Sequence, residues 1–327
     1  NRIYAEMQVE CELMKFHPVD LKEIEKGIVN ILKGLKQEDT ISLNIGGGTK
    51  PWSILFYDFF KEMENATIFY IDQNNVVWDL KKRTKHEVVF DMDVQFRLYG
   101  NPLKKFKRFA DFTVADKKAV EQIRTLRKFN YSDFNLITEF LYRFPNENSK
   151  SGKDGSRIEW LPAQKAFRCI MRDKKGKELN IKIKSDHIRR LLLNTGWFEY
   201  EIAEMLSKWK YCNELRLNCV FPTTDGSPKN EIDIIVNTGS KLLFVECKSQ
   251  IKNETDIDKF ASAVKLYGGL GSKALFVTDA PMTDKAHEKC ADHGMMTFSL
   301  QNNSWGLAAD KMLFMMLEKE LFNINAK

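Results

Sequence analysis

The sequence predicts an α/β protein made of two α/β domains. Three observations support this prediction. The chain has 327 residues, which is more than one typical domain requires. Near the N-terminus a strand, a glycine-rich loop, a helix and a second strand follow one another. Near the C-terminus the order is helix–β–β–β–helix–β.

Composition excludes several classes of protein. Apolar residues make up 43% of the chain, yet no apolar run approaches the roughly 18 residues that a membrane helix needs, so no membrane association is expected. The six cysteines form no C-x-x-C pair, which argues against disulfides and zinc and predicts a cytoplasmic location. Because the chain begins at Asn1 within a polar segment, we expect that an N-terminal piece of the protein is missing from it.

Positive charge is concentrated in the middle of the chain. The net charge is +6 over the whole sequence, but −5 over residues 1–80, +12 over residues 81–188 and −1 over residues 189–327. A basic segment suits a polyanion such as nucleic acid, because neutralised phosphates release their counterions. Solvated loops and helix faces would give the same charge count, so charge alone leaves both interpretations open.

The N-terminal pattern is that of a Rossmann-like domain. A helix with Asp20 as its N-cap carries apolar residues at the spacing of one buried face. Residues 41–45 form a short strand, residues 46–50 a glycine-rich loop, and the next helix has Pro51 in its first turn. Residues 66–71 form another strand, so the unit is β-α-β, for which parallel strands are expected.

The loop Gly46-Gly47-Gly48-Thr49-Lys50 is a candidate anion-binding site. At a helix N-terminus its backbone N–H groups and the helix dipole favour a negative charge, while Thr49 adds a hydroxyl donor and Lys50 a full positive charge. The loop matches neither G-x-x-x-x-G-K-[ST] nor G-x-G-x-x-G, so an NTPase or a dinucleotide enzyme is poorly supported. A tight turn that needs small residues is the alternative interpretation.

The basic middle of the chain interrupts the α/β order. Helices are predicted near 115–128 and 131–142, and the segments 166–172 and 178–184 flank a Lys-Lys-Gly turn that predicts a hairpin. Residues 146–156, which are rich in Asn, Ser and Gly, are the strongest candidate for a linker or a mobile loop.

The C-terminal pattern places two acidic residues and one lysine together. Strands are expected over 231–236 and 241–247, joined by a short turn. Glu246 and Lys248 are two residues apart in a strand and therefore point to the same face, and Asp233 can lie beside them on the neighbouring strand. Two such carboxylates would repel each other unless a divalent cation lay between them, and Mg²⁺ or Mn²⁺ prefers oxygen ligands.

This arrangement predicts metal-dependent phosphodiester hydrolysis. Lys248 could orient or help deprotonate the attacking water and stabilise charge on the phosphoryl oxygens, with the ion as Lewis acid. The alternative is an amphipathic strand whose exposed face happens to carry Glu and Lys. Asp233 at hairpin distance, the apolar run before Glu246 and Glu199 on the preceding helix favour the catalytic interpretation.

Two motifs, taken together, resemble one known family. Asn230-Glu231-Ile232-Asp233 and Phe244-Val245-Glu246-Cys247-Lys248-Ser249, preceded by Thr195-Gly196-Trp197-Phe198-Glu199, are similar to the PD-(D/E)xK, or restriction-endonuclease-like, domain of nucleases of type III CRISPR systems. In that family an N-terminal CRISPR-associated Rossmann-fold (CARF) domain carries a glycine-threonine-lysine loop, where this chain has Gly46-Gly47-Gly48-Thr49-Lys50-Pro51. Family members often have a second glycine at the position of Thr195.

The resemblance implies three parts of the chain. Residues 1–110 would be the CARF-like Rossmann sensor domain, without its first strand and the loop that follows it. Residues 111–184 would be a basic connecting region with helices and a hairpin, and residues 185–327 the nuclease domain. The implied fold class is therefore α/β, with a Rossmann-like sensor followed by a restriction-endonuclease-like domain.

The resemblance also implies residue roles and ligands. Asp233 and Glu246 would bind Mn²⁺ or Mg²⁺, Lys248 would be the catalytic lysine, and Glu199 would be a further acidic member of the site. Residues 46–50 would bind a cyclic oligoadenylate, most often cyclic tetra-adenylate, as allosteric activator. Because the family binds this ring across a two-fold axis, a homodimer is implied. The implied substrates are single-stranded DNA and RNA, with nicking of duplex DNA, in antiviral defence.

Two other functions stay open on the sequence alone. The chain could be a constitutive PD-(D/E)xK DNA endonuclease of restriction or repair type, and activity without any added nucleotide would favour that. It could also be a nucleotide-binding regulator that binds nucleic acid without cutting it. Retention of Asp233, Glu246 and Lys248 together argues against such a regulator.

Overall fold

The structure is a computed structural model that describes most of the chain. It describes residues 12–36, 38–72, 76–86, 91–222, 228–251, 254–269, 271–301 and 308–324, together with residues 6, 8, 10, 88 and 89. Among these residues no helix combines the length and the apolar character that crossing a bilayer requires.

Two compact units divide the chain. The first consists of Asn1–Pro102, Asn237–Leu242 and Gly269–Ser272, and the second of Leu103–Val236, Leu243–Gly268 and Lys273–Lys327. The glycine-rich loop belongs to the first unit. Asp233, Glu246 and Lys248 belong to the second.

Among its described residues the first unit contains a four-stranded sheet and three helices of seven residues or more. Its elements are α1 (Leu21–Gly34), β1 (Ile41–Asn44), α2 (Lys50–Phe60), β2 (Ala66–Ile71), β3 (Val77–Asp79), β4 (Thr84–His86) and α3 (Met92–Leu98). The strand order is β1-β2-β3-β4, in which β1 and β2 are parallel while β3 is antiparallel to both β2 and β4. The parallel β1 and β2, separated by α2, confirm the predicted β-α-β unit.

A small apolar core stabilises this unit. Ile24 and Ile28 of α1, Phe60 of α2 and Ile68 of β2 are buried together. The carboxylate of Asp20 caps α1 as predicted, since its Oδ1 accepts hydrogen bonds from two first-turn N–H groups at 3.0 and 3.2 Å. The apolar face of α1 is therefore the buried one, as the residue spacing predicts.

The second unit contains two sheets. Its strands are β5 (Lys105–Arg108), β6 (Ser149–Ser151), β7 (Arg157–Leu161), β8 (Ala166–Arg172), β9 (Glu178–Lys184), β10 (Glu214–Pro222), β11 (Pro228–Asn237), β12 (Leu242–Lys248), β13 (Lys273–Thr278) and β14 (Met296–Ser299). The larger sheet has the order β14-β13-β12-β11-β10-β5, with β12, β13 and β14 parallel and β5 antiparallel to β10. The smaller sheet, β6-β7-β8-β9, is antiparallel and includes the predicted hairpin of β8 and β9.

Seven helices accompany these sheets among the described residues. They are α4 (Val114–Phe129), α5 (Tyr131–Arg143), α6 (Ile188–Leu193), α7 (Gly196–Ser207), α8 (Thr255–Tyr267), α9 (Asp284–Asp292) and α10 (Ala309–Phe322). Two short 3₁₀ turns occupy Phe109–Asp111 and Pro162–Gln164. The helices predicted near 115–128 and 131–142 are α4 and α5.

One hydrophobic core joins both sheets of the second unit. It includes Ile123 and Leu126 of α4, Ile158 of β7 and Val245 of β12, all of them buried. Residues 111–184 therefore do more than connect other parts of the chain, because their apolar side chains belong to the core beneath β12. Within this region α4 carries five Lys and Arg residues, and most of the other basic residues lie on β6–β9 and the turns between them.

The segment 146–156 is held in place, so the prediction of a linker or mobile loop was wrong. Residues 149–151 form β6, which pairs with β7. The turn that follows is anchored by Asp133, a buried residue of α5. Its carboxylate accepts hydrogen bonds from the N–H groups of Lys153 (2.7 Å) and Asp154 (3.0 Å). Local composition cannot reveal a buried partner that is 20 residues away.

Candidate active site

Three of the predicted catalytic side chains lie on neighbouring strands. Asp233 is in β11, and Glu246 and Lys248 are in β12, which is next to β11 in the sheet. Glu246 and Lys248 are half-buried, whereas Cys247 between them is buried in the core. The two-residue period of the strand therefore brings Glu246 and Lys248 to one face, as predicted.

Direct contacts connect these residues. The Lys248 ammonium lies 2.6 Å from Oε1 of Glu246, and the N–H of Cys247 donates a hydrogen bond to Oδ2 of Asp233 over 2.8 Å. Glu246 and Lys248 also line a cavity of about 280 Å³ together with Asn230. The carboxylate of Asp233 is thus tied to the backbone of the strand that carries the other two side chains, and those two face open space.

Burial of the two carboxylates disfavours their charged forms. Burial, reinforced by the charge of Asp233, raises the pKa of Glu246 to about 8, although Lys248 opposes the rise. Burial also raises the pKa of Asp233, with Lys248 and the Cys247 N–H opposing. For Lys248 burial acts to lower the pKa, but the charges of Glu246 and Asp233 outweigh it and raise the pKa above its ordinary value. Buried groups with such perturbed pKa values are characteristic of functional sites.

Glu199 approaches the same site from α7. Its Oε2 accepts a hydrogen bond from Nδ2 of Asn218 at 2.7 Å and lies 3.3 Å from the guanidinium of Arg190. Burial, followed by the charge of Asp233, raises the pKa of Glu199 to about 7, and Arg190 opposes the rise. Glu199 is therefore electrostatically coupled to Asp233. The four residues named from the sequence form one charged cluster.

Sequence reasoning missed the residues that hold Glu199. Arg190 contacts Glu231 as well, at 2.9 Å, so it bridges two acidic residues. Its signal in the sequence is the pair Arg189-Arg190 within the otherwise apolar helix α6. Asn218 gave no signal: its φ is 52°, and the pairing of β10 with β5 shifts register between Leu217 and Val220. This irregularity in the strand turns the Asn218 amide towards Glu199, and irregularities of this kind are common next to active sites.

Gly196 allows α6 and α7 to approach closely. A Cβ at this position would lie 2.9 Å from the carbonyl oxygen of Arg190, closer than real Cβ atoms come to such an atom. The absence of a side chain at Gly196 therefore permits the short distance between Arg190 and Glu199.

The glycine-rich loop follows β1 and begins α2. Gly46, Gly47, Gly48 and Lys50 are exposed. The N–H of Gly46 donates to the side-chain oxygen of Asn44 at 2.9 Å. The N–H groups of Gly47 and Gly48 have no hydrogen-bond partner within the part of the chain that the structure describes. Exposed N–H groups at the start of a helix are suited to an anion.

Packing behind the loop determines its shape. Oγ1 of Thr49 donates to the carbonyl of Pro18 over 2.6 Å, and Nε1 of Trp52 donates to the carbonyl of His17 over 2.7 Å. Gly48 has a φ of 77°, and a Cβ there would lie 2.5 Å from the Trp52 ring. The hydroxyl proton of Thr49, expected from the sequence to be a ligand donor, is therefore engaged by Pro18. Gly48 is the position at which the turn requires glycine.

Comparison with known families assigns both ends of the chain. Residues 3–98 match the Card1 CARF domain, and residues 194–301 match the restriction endonuclease family. The chain joins a CARF domain to a restriction-endonuclease-like domain. The predicted fold class is thereby confirmed, and the resemblance that the two sequence motifs indicated is confirmed with it.

Solved structures of similar fold span the CARF and endonuclease domains together. Can2 from Sulfobacillus thermosulfidooxidans, in complex with cyclic tetra-adenylate, is 20% identical with a TM-score of 0.63, over 98% of this chain and 86% of Can2. Protein VC1899 from Vibrio cholerae is 15% identical with a TM-score of 0.62, over 86% of this chain and 77% of VC1899. No curated protein matches the chain. At these identities the likeness shows a shared fold.

The donor set of the endonuclease domain fits a hard divalent cation. Asp233 and Glu246 offer carboxylate oxygens, and their pKa values are raised because no positive charge fully offsets their burial and repulsion. Among the described residues no group of three or more His, Cys, Asp or Glu side chains is arranged to hold a metal. The two carboxylates would therefore supply part of the ligands, with water or substrate oxygens completing them.

Replacing Thr195 of the endonuclease domain by glycine is expected to stabilise the folded protein. Thr195 has a φ of 54°, a left-handed conformation that is unfavourable for a β-branched residue. Glycine would remove about 1–2 kcal/mol of backbone strain from the folded state and add about 0.5–1 kcal/mol of chain entropy to the unfolded state. The free energy of unfolding should therefore rise by roughly 0.5–1 kcal/mol. Thr195→Gly should raise the midpoint of urea unfolding with an unchanged slope. A Thr195→Gly protein no more stable than Thr195→Ala would contradict this account of the position.

Proposed function

We propose that this chain is a metal-dependent nuclease that cleaves single-stranded DNA or RNA, nicks duplex DNA, and is activated by a cyclic oligoadenylate in type III CRISPR defence. The observation that carries the proposal is the cluster of Asp233, Glu246 and Lys248 in an endonuclease domain whose chain also contains a CARF domain. The setting would be the bacterial or archaeal cytoplasm, where both nucleic acid and nucleotide messenger are present.

Lys248 is the residue that would meet the reacting phosphate. Its pKa is raised by Glu246 and Asp233, so the ammonium is protonated at neutral pH. A protonated lysine cannot deprotonate water, and it acts instead by donating hydrogen bonds to the phosphoryl oxygens as their charge grows. Glu246, 2.6 Å from the ammonium, orients the lysine towards the cavity that both side chains line.

Asp233 and Glu246 would hold the divalent cation, Mn²⁺ or Mg²⁺. When bound, the cation would supply Lewis-acid polarisation of the phosphoryl group and a more acidic water. Asp233 is kept in position by the Cys247 N–H. Glu199, held by Asn218 and Arg190, adds negative charge to the same site and would help to bind or order the attacking water.

The activator would bind at the glycine-rich loop of the CARF domain. Two observations support this placement: the N–H groups of Gly47 and Gly48 have no partner among the described residues, and Lys50 is exposed beside them. The Can2 structure of similar fold contains cyclic tetra-adenylate, which makes this ring the first ligand to test. A ring with two-fold symmetry suits a symmetric interface, so we propose a homodimer.

A nuclease assay tests the proposal as a whole. Labelled single-stranded DNA and RNA, and supercoiled plasmid, would be incubated with the protein and Mn²⁺, with and without each cyclic oligoadenylate. We expect cleavage only when both metal and cyclic tetra-adenylate are present, and loss of cleavage in excess EDTA. Cleavage without any cyclic nucleotide would favour a constitutive endonuclease. Binding of nucleic acid with no cleavage under every condition would favour a non-catalytic regulator.

Metal affinity is expected to rise with pH. Because burial and the charge of Asp233 raise the pKa of Glu246 to about 8, a fraction of this carboxyl carries a proton near neutral pH, and a bound cation must displace that proton. At higher pH fewer of these carboxyls are protonated, so the cation should bind more tightly. Calorimetric titration with Mn²⁺ should show several-fold tighter binding at pH 8 than at pH 6.5.

The Glu246→Gln variant is the control for this effect. It lacks one of the titrating carboxyls, so the pH dependence of Mn²⁺ binding should be weaker than in wild type, and the part that remains would come from Asp233 and Glu199, whose pKa values are also raised. An equal pH dependence in wild type and Glu246→Gln would show that another group releases the proton.

A further inference from the structure

The second unit contains a cavity that the catalytic cluster does not use. It has a volume of about 660 Å³ and is lined by residues of α4, of α7, and of the segments that follow β13 and β14. We infer that this α4–α7 cavity binds an unpaired nucleotide of the substrate strand, next to the nucleotide whose phosphate is cleaved. The inference rests on the proposed nuclease function and assigns a substrate contact to the basic middle region.

The cavity lies beside the catalytic strand. Asp279 and Ala280, which follow β13, line the cavity, and their N–H groups donate to the carbonyl oxygens of Lys248 (3.2 Å) and Ser249 (3.1 Å) respectively. The cavity wall is therefore hydrogen-bonded to the end of β12, one strand away.

A second, smaller cavity adjoins the α4–α7 cavity. It has a volume of about 280 Å³, is lined by Ser249 and Gln250, and shares Arg127 and Trp197 as walls with the α4–α7 cavity. Both cavities are lined by residues that come directly after the carboxyl end of a strand in an α/β sheet. Ligands commonly bind at this edge of such sheets.

Aromatic and guanidinium planes form one wall of the cavity. The guanidinium of Arg127 lies 4.4 Å from the ring centroid of Tyr131 and 5.1 Å from that of Trp197. Trp197 is buried, but Tyr131 is 40% exposed, so its ring remains accessible to a further planar group. Unpaired bases stack on tyrosine rings and on arginine planes in proteins that bind single strands. A stacked base would extend the series Trp197, Arg127, Tyr131.

Polar groups in the wall suit the edge of a base and a phosphate. Arg127 is buried in an ion pair with Asp279, yet its Nε–H has no acceptor among the described residues. A buried donor without an acceptor is unfavourable, and a ligand oxygen or nitrogen would satisfy it. Arg124 is paired with Glu201 at 3.0 Å. Lys128 is exposed and forms no ion pair with any residue that the structure describes, which leaves its charge available for a phosphate.

These features favour single-stranded nucleic acid as the occupant. A paired base in a duplex could not offer a face to Tyr131, because both of its faces are stacked on neighbouring bases, and its Watson–Crick edge would be bonded to its partner. A purely apolar ligand would leave the Nε–H of Arg127 and the ammonium of Lys128 without acceptors. The cavity therefore fits a nucleotide with an exposed base and one phosphate.

Binding of labelled oligonucleotides tests the inference without requiring cleavage. Fluorescence anisotropy would be measured for the full-length protein in EDTA with fluorescein-labelled single-stranded DNA and RNA, with and without cyclic tetra-adenylate. Tyr131→Leu should weaken binding by about tenfold through loss of one stacking contact. Tyr131→Phe keeps the ring and should bind as wild type. Lys128→Ala should lower the slope of log affinity against log salt by about 0.7, the value for one phosphate on a single strand.

Lys118→Ala is the matched control, because Lys118 is an exposed lysine of the same helix that does not line the cavity. Its affinity should stay close to that of wild type. Wild-type affinity in both Tyr131→Leu and Lys128→Ala would overturn the inference and make the cavity a solvent-filled space around a structural ion pair. Because binding is read without metal, a protein that binds as expected but never cleaves would refute the proposed function and leave the cavity assignment standing.

Discussion

Lys248→Ala is expected to lower the rate of nucleic acid cleavage by at least about a hundredfold, by comparison with loss of one stabiliser of transition-state charge. The pKa of the Lys248 ammonium is raised and the ammonium lies 2.6 Å from Glu246, so under the proposed function it is a fixed positive charge that would stabilise the phosphoryl oxygens. The measurement is the single-turnover rate at saturating Mn²⁺ and cyclic tetra-adenylate. Because Lys248 is half-buried at the edge of the core, the variant should remain folded.

Lys259→Ala tests whether losing any positive charge from the cavity that Lys248 lines would lower the cleavage rate. Lys259 lines the cavity that contains Glu246 and Lys248, but its side chain is 77% exposed and its ion pair with Asp256 is long, at 3.8 Å. Exposed pairs of this kind contribute little, so its cleavage rate should change by no more than about twofold. Normal single-turnover cleavage by Lys248→Ala would remove this lysine from the mechanism. A comparable loss in both variants would mean that the cavity's overall charge matters more than the position of Lys248.

The catalytic hairpin could be predicted because strand geometry is local. Glu246 and Lys248 share a face by the two-residue period, and a short turn places Asp233 on the adjacent strand, so neither inference needed a long-range contact. The same holds for the β-α-β unit and the Asp20 cap, which depend on residues that are close in sequence.

The residues that complete the site could not be predicted because they meet through tertiary contacts. Arg190 and Asn218 are 9 and 19 residues from Glu199, and each depends on a detail of packing. For Arg190 the detail is a glycine at 196, and for Asn218 it is a register shift in β10. The structural role of residues 111–184 could not be predicted for a related reason. Their charge suggested a connecting region, whereas the buried apolar residues of α4 belong to the core of the second unit.

The Thr195 position shows where a departure from the family pattern was informative. The family that the sequence resembles often has a glycine at this position. In the structure Thr195 adopts the left-handed conformation that glycine favours, and Glu199 still reaches the site. The departure therefore concerns local backbone strain, and the position of the acidic side chain is kept.

Lys50→Ala is expected to raise the concentration of cyclic tetra-adenylate needed for half-maximal cleavage by at least about tenfold. Lys50 is exposed and follows Gly47 and Gly48, whose N–H groups have no partner in the part of the chain that the structure describes, so a ligand phosphate at the start of α2 would meet all three. Loss of a charge-assisted hydrogen bond of about 1.5–3 kcal/mol per site accounts for the shift. An activator acts by binding the active arrangement more tightly, so weaker binding lowers activation without altering the catalytic cluster.

Lys61→Ala separates this effect from a general loss of positive charge in the CARF domain. Lys61 lies at the opposite end of α2, where it pairs with Asp58 at 2.7 Å, far along the helix from the loop. Cleavage rate and direct ligand binding would be measured against activator concentration for wild type and both variants. We expect Lys61→Ala to follow the wild-type curve, and Lys50→Ala to reach the wild-type maximal rate only at higher concentrations, because its endonuclease site is intact. Activation of Lys50→Ala at the wild-type midpoint would mean that the loop is a structural turn required by the packing of Trp52 on Gly48, and that the activator binds elsewhere.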